Sequence, residues 1–139
     1  MKKNERIRKI GVISLLMLVM STSLVYAEKK KGSFSFNFSS YVLGKTEFSL
    51  AGKETNCDST ANTYRNGSVH KTKYTYGITL DGNGLFKPNY KGSTHSANGK
   101  KYRTSYGIIK KNTYTVNVGS DDDLNMAGVN IKGTGALYQ

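Results

Sequence analysis

The chain has 139 residues, and its 21 Lys and Arg outnumber its 9 Asp and Glu, which gives a formal net charge of +12 at pH 7. This length suits one domain of ordinary size, and the single cysteine, Cys57, excludes an intramolecular disulfide. The fold must therefore be held by packing and hydrogen bonds, and the positive charge favours association with polyanions.

The first 27 residues have the three parts of a secretory signal peptide. A basic head ends at Lys9, an apolar run covers 10–20, and a tail of small residues ends at Ala27. The apolar run is too short for a spanning helix, which needs about 20 residues. We predict a signal helix over 1–27, cleavage after Ala27, and a secreted protein with no transmembrane anchor. Residues 28–139 keep a formal net charge of +8.

The chain after the cleavage site begins with a basic, glycine-ended segment, 28–32, which we predict to be a flexible arm. Residues 33–39 alternate with a period of two, which is the pattern of a half-buried strand. A second alternating stretch covers 46–50, and we expect it to neighbour the first. The apolar members of the two stretches are Phe34, Phe36, Phe38, Phe48 and Leu50.

Residues 53–65 are polar and weakly patterned, so we predict a loop with a short strand near its end. Asn66-Gly67 is a preferred type I′ turn pair, because both residues tolerate positive φ. A long alternating strand over 69–80 is expected to follow. Its outward set includes Lys71 and Lys73.

Turn formers at 81–84 end that strand. Another Asn-Gly pair precedes a predicted strand over 100–109, in which Tyr102, Thr104, Tyr106 and Ile108 share one face. We expect this strand to form a hairpin with 113–118. The closing stretch, 129–132 followed by glycines, predicts an edge or bulged strand.

No apolar helical period persists after residue 27, and turn residues recur at short intervals, so the fold class is all-β. We predict one domain over 33–139, an antiparallel β-sandwich of jelly-roll type with seven to eight strands. The order Phe34-x-Phe36-x-Phe38, Phe48-x-Leu50, Tyr74-x-Tyr76-x-Ile78-x-Leu80, Tyr114-x-Val116-x-Val118 and Gly133-x-Gly135 resembles small secreted jelly-roll proteins of Gram-positive bacteria. This resemblance implies a fold but no activity and no functional residue.

The motifs of serine hydrolases, zinc proteases, redox dithiols and dinucleotide enzymes are missing from the sequence. We therefore predict a protein that is not an enzyme, with no catalytic residue, cofactor or metal. His70 and His95 could act as base and acid of a secreted hydrolase, or be ordinary solvated residues. The run 121–123 could offer oxygens to Ca²⁺, although an acidic turn is the preferred interpretation. Cys57 is either a spare thiol or a partner in an intermolecular disulfide.

The remaining signal is the pairing of cations with tyrosines. Most tyrosines share strand parity with aliphatic residues, which predicts that they pack in the core, whereas the opposite parity carries cations. We predict a basic sheet face that binds an anionic cell-wall polymer or polysaccharide and keeps the secreted protein at the cell surface. No specific nucleic acid is expected, and the alternative is a bacteriocin-like cationic effector that acts on competing bacteria. The predicted binding residues are Lys71, Lys73, Lys101, Arg103, Lys110 and Lys111.

Overall fold

The computed structural model describes residues 27–139, so the predicted signal helix over 1–27 lies outside the described residues except for Ala27. The described part has ten strands and one four-residue helix. The elements are β1 (Lys30–Phe38), β2 (Tyr41–Val42), β3 (Glu47–Leu50), β4 (Glu54–Arg65), β5 (Ser68–Val69), β6 (Thr75–Gly82), β7 (Asn89–Ser96), β8 (Asn98–Ile108), β9 (Asn112–Gly119), α1 (Leu124–Ala127) and β10 (Asn130–Tyr138).

The strands form two antiparallel sheets, which confirms the all-β prediction. Sheet 1 has the order β1-β10-β4, and both β8 and β5 pair with the other edge of β4. In sheet 2, β2 and β3 pair with one edge of β9, and β6 and then β7 follow on its other side. The strand count exceeds the predicted seven to eight because β2 and β5 have only two residues each, too few to produce an alternating pattern.

One apolar core contains side chains from both sheets, as the alternating patterns predict. Tyr76 and Tyr114 are fully buried, and Tyr74 and Tyr106 pack at the margin of the core. The Tyr76 hydroxyl shares a hydrogen bond of 2.9 Å with Ser59, so the polar end of this ring is satisfied inside the protein. The prediction that the strand tyrosines are core residues is confirmed for Tyr76 and Tyr114.

The first two alternating stretches are neighbours, as predicted, but they do not share a hydrogen-bonded ladder. β1 pairs with β10 and β3 pairs with β9, so the two strands belong to different sheets. They meet through their side chains instead, since the rings of Phe34 and Phe48 contact edge to face at 6.4 Å between centroids. The alternation of apolar residues in both stretches correctly identified residues of one core. It could not show whether the two strands are hydrogen-bonded to each other.

The segment 28–32, predicted as a flexible arm, is held by backbone pairing from Lys29 onward, with an irregularity between Lys30 and Gly32. Lys29 exchanges two backbone hydrogen bonds with Gln139, and β1 begins at Lys30. The chain end at Gln139 supplies the partner for this pairing, and that long-range contact leaves no local signal near residue 28.

β4 replaces the predicted loop over 53–65 and is the longest strand of the described part. Its core-facing residues are small or hydroxylated, so they produce no hydrophobic alternation. Their polar side-chain groups have hydrogen-bond partners inside the protein. The Thr63 hydroxyl, for example, donates to the Ala97 carbonyl at 3.2 Å. The small core-facing set is Thr55, Cys57, Ser59, Ala61 and Thr63.

The sequence predicts that the last strand is an edge or bulged strand, and in the structure β10 is an interior strand between β1 and β4. Its glycines leave hollows that rings from β1 fill. A Cβ on Gly135 would lie 2.3 Å from Cζ of Phe34, and one on Gly133 would lie 2.6 Å from Cζ of Phe36. The glycines therefore make room for aromatic packing in this sheet.

β8 and β9 do not form the predicted hairpin, because β8 pairs with β4 in sheet 1 and β9 pairs with β6 in sheet 2. Gly107 has a φ of +66°, and the β4–β8 register shifts beside it. This irregularity reverses the parity at the end of β8. Ile109 is consequently buried, whereas Ile108, predicted to face the core, is 79% exposed.

Candidate functional site

The outer face of sheet 1, meaning the side chains that point away from the core, carries a wide, open depression. The strand registers align these side chains in rows across four strands. One row contains Ser33, Ala136, Asp58 and Arg103, and the next contains Ser35, Thr134, Thr60 and Lys101. Hydroxyl groups thus stand beside cations across the width of the sheet.

Two shallow depressions run along this face. The first has a volume of about 620 Å³ and lies beside Tyr138, and the second has a volume of about 410 Å³ and lies beside Tyr64. Both are lined by Ser35, Thr60 and Thr134, so they are continuous with one another. Together they form an open trough, lined by both hydroxyl groups and apolar atoms, with an aromatic ring at each end.

An ion-pair network forms one wall of the trough. The Asp58 carboxylate accepts from Arg103 Nε at 2.7 Å and lies 2.8 Å from Lys101 Nζ. Arg103 Nη1 also donates to Glu28 at 2.7 Å, and the guanidinium lies 5.6 Å from the Tyr138 ring centroid. In this network Asp58 contacts both Lys101 and Arg103, and Arg103 also contacts Glu28.

The charges in the network stabilise one another. The hydrogen bond from Arg103 lowers the pKa of Asp58 below its ordinary value, and the same guanidinium lowers the pKa of Glu28. The pKa of Lys101 is raised by its hydrogen bond to Asp58. Both carboxylates are therefore ionised at neutral pH, and they offset part of the positive charge on this side of the trough.

Lys30 and Lys132 add positive charge that the predicted set did not include. Both side chains are exposed on the outer face, Lys30 at the first depression and Lys132 at the second. No carboxylate of residues 27–139 forms an ion pair with either lysine. Alternation along the last strand places Lys132 on the face opposite to Ile131, so the sequence could have identified this lysine. Lys30 was missed because residues 28–32 were predicted to be a flexible arm.

The six predicted binding residues do not share one face. Lys101 and Arg103 lie together on β8, with the outward direction that parity predicts. Lys71 and Lys73 lie in the connection that leads into β6, which begins only at Thr75. The remaining two, Lys110 and Lys111, lie where the chain passes from sheet 1 to sheet 2.

The two histidines have separate environments, and within residues 27–139 no hydrogen bond or ring contact joins them. His70 Nδ1 lies 3.1 Å from the Thr72 carbonyl oxygen. His95 Nε2 lies 2.7 Å from the Thr104 hydroxyl, and its ring stacks on Tyr102 at 4.8 Å between centroids. Burial lowers the pKa of His95, which favours the neutral ring at pH 7. His95 thus helps to pack β7 against β8.

Cys57 and the acidic run have structural positions. The Cys57 thiol is buried in the core, and burial raises its pKa to about 12, so it is not placed to cross-link a second folded chain. Asp122 accepts from the backbone and hydroxyl of Thr75, and Asp123 caps α1 by accepting from Met126 N at 2.9 Å. These bonds fit the acidic-turn interpretation.

Comparison with protein-family models and with curated proteins finds no match for the chain. Over residues 27–139, no group of three His, Cys, Asp or Glu side chains is arranged to hold a metal ion. The same residues include no helix of the length and apolar character needed to cross a membrane. The outer face of sheet 1 remains the best-formed candidate site.

Proposed function

We propose that this protein is secreted and binds an anionic polymer of a cell surface along the outer face of sheet 1, without catalysing a reaction. In this proposal, the two sheets pack as one jelly-roll-like β-sandwich domain. One sheet face is then left to solvent for binding. The observation that carries the proposal is the continuous trough lined by hydroxyl groups, with lysines along it.

The shape of the trough suits a chain-like ligand better than a compact one. It is shallow and open along the sheet, and its two parts meet at Ser35, Thr60 and Thr134. A polymer could therefore lie along it and extend beyond either end. The rings of Tyr64 and Tyr138 provide surfaces on which sugar units can pack.

The chemistry of the trough suits a ligand with both hydroxyl and acidic groups. Serine and threonine hydroxyls donate and accept hydrogen bonds, as sugars and polyols do. Lys30 and Lys132 supply positive charge that no carboxylate of the described part offsets through an ion pair. Poly(glycerol phosphate) and acidic polysaccharides combine these features. The formal charge of +8 over residues 28–139 adds a long-range attraction.

Charge-matched variants test this proposal. We expect Lys30→Gln with Lys132→Gln to weaken binding to purified poly(glycerol phosphate) teichoic acid about fivefold for each lysine, from roughly 1 kcal/mol per cation at an anionic surface. Lys71→Gln with Lys73→Gln removes the same charge away from the trough and should weaken binding much less. Equal losses in the two double variants would show that net charge, and not this face, governs binding.

A variant that keeps the charge tests the trough itself. Thr134 lies between the two depressions, and its side chain is exposed. Thr134→Trp should block the trough and reduce teichoic-acid binding, while circular dichroism shows an unchanged fold. Undiminished binding by this variant would place the ligand elsewhere on the protein.

A further inference from the structure

A second surface, at one end of the molecule, combines exposed apolar side chains with lysines. Leu85 and Phe86 form the tip of the β6–β7 turn and are 93% and 90% exposed. Ile108, at the end of β8, is 79% exposed. We call these three residues the tip patch. Three large apolar side chains held in water are unfavourable unless they contact a partner.

Hydrogen bonds bring the parts of the tip patch to the same end. The Asn83 amide donates to the Thr113 carbonyl at 3.0 Å, and the Asn112 side chain donates to the Asn83 carbonyl at 2.7 Å. The Lys110 amide donates to the Tyr90 hydroxyl at 2.9 Å. The β6–β7 turn is thus fixed beside the connection that follows Ile108.

The charge around the tip patch is positive overall. Four exposed lysines lie in or beside the connections at this end, and Lys53 is tied to it because the Ile109 amide donates to the Lys53 carbonyl. The nearby carboxylates are Glu54, Asp81 at the end of β6, and Glu47, which accepts from Asn83, so four lysines face three carboxylates. The lysines are Lys53, Lys87, Lys110 and Lys111.

We propose that the tip patch inserts into the interface of an anionic lipid bilayer. A protruding turn with adjacent leucine and phenylalanine can enter the boundary between headgroups and acyl chains, where apolar side chains are buried while flanking lysines contact headgroup phosphates. A groove would be expected for a peptide, and a flat surface for a large protein partner. None of the three tip-patch residues lines the trough, so the inference does not depend on the polymer proposal.

Fluorescence from a probe at the tip tests the inference on the full chain. Phe86→Cys labelled with an environment-sensitive dye should shift to the blue with phosphatidylglycerol vesicles, and lipid-attached quenchers should quench it. The buried Cys57 should stay unlabelled. The matched control is Met126→Cys, since Met126 is 87% exposed but lies beyond the other end of β9, on α1.

The expected dependence on composition is specific. Phosphatidylcholine vesicles should require more lipid for the same shift, by roughly fivefold for each lysine that contacts the surface. Adding Leu85→Ser should raise the lipid concentration at half-maximal shift about tenfold, because one large apolar side chain is no longer buried. Lys132→Gln should leave the shift unchanged, because Lys132 pairs with Asn62, far along β4 from the Glu54–Ile108 pair, and this control separates the tip patch from the trough.

Three results would overturn the inference. The first is an unshifted probe at position 86, and the second is an equal shift at positions 86 and 126, which would indicate unfolding or non-specific adsorption. The third is a shift at position 86 without vesicles that grows with protein concentration. That result would show that a second copy of the chain covers the tip patch.

Discussion

Gly133 lies in the middle of β10 at a point where a side chain has no room. A Cβ there would lie 2.4 Å from the Thr60 carbonyl oxygen and 2.7 Å from the Ala61 Cβ, in addition to its overlap with the Phe36 ring. Ordinary contacts to a Cβ are 3.4–4 Å. Relief would require shifts of roughly 1 Å, and the carbonyl belongs to the adjacent, paired strand β4. The strand ladder therefore resists the shift more than a flexible side chain would.

We expect Gly133→Ala to reduce the free energy of unfolding by about 1–3 kcal/mol, the usual cost of overpacking a core. The lower entropy of the unfolded chain offsets at most about 1 kcal/mol of that loss. Gly77→Ala is the matched control, because Gly77 is also inside a strand but a Cβ there meets nothing within 4 Å. This control should be neutral or more stable by up to about 1 kcal/mol.

Urea unfolding followed by circular dichroism measures both variants against the unsubstituted protein. The slopes of the unfolding free energy with urea should agree, because neither substitution changes the surface exposed on unfolding. If Gly133→Ala proved as stable as Gly77→Ala, the aromatic packing over β10 would not be tight, and the account of β10 as an interior strand shaped by its glycines would be refuted.

Three further predictions concern single residues. Asp58→Asn should reduce the free energy of unfolding at neutral pH by about 1–2 kcal/mol. This value allows for solvent screening of the ion pair, because Arg103 is half exposed. Because the pKa of Asp58 is lowered in the folded state, this difference should be fully present at pH values above the ordinary Asp pKa of 3.8. It should disappear as the pH falls through the folded-state pKa, as acid unfolding curves will show. Cys57 should react with a thiol reagent at pH 8 only after denaturation, since burial raises its pKa to about 12, and rapid reaction of the folded protein would contradict that burial. Gly107→Ala should cost about 1–2 kcal/mol in thermal or urea unfolding, because Gly107 has a left-handed φ of +66°.

The sequence was sufficient for the strands whose side chains alternate strongly. The phenylalanines of β1, the tyrosines Tyr76 and Tyr114, and the outward direction of Lys101 and Arg103 follow from a period of two, which is a local property of an extended chain. Asn66-Gly67 likewise forms its predicted turn, with φ of +50° and +79°. The all-β class depended on these local signals alone.

Sequence patterns failed to predict the structure where contacts with distant parts of the chain determine whether a residue is buried. β4 is the clearest case, because its small and hydroxylated residues become core residues only when the aromatic rings of other strands cover them. The same limit applies to Lys71 and Lys73, which alternation assigns to a strand but which lie in a connection between strands. Alternation fixes which face of a strand a residue occupies, but it does not specify the strand's partner.

The sequence by itself thus determined the fold class, the inward and outward sides of the well-patterned strands, and a formal charge of +8 over 28–139. Only the tertiary structure decided that Lys30 and Lys132 share a trough, that Asp58 and Glu28 offset Arg103, and that Leu85 lies beside the connection following Ile108. The physical reason is that side-chain periodicity is a property of neighbouring residues, whereas strand pairing and charge compensation depend on contacts between distant ones.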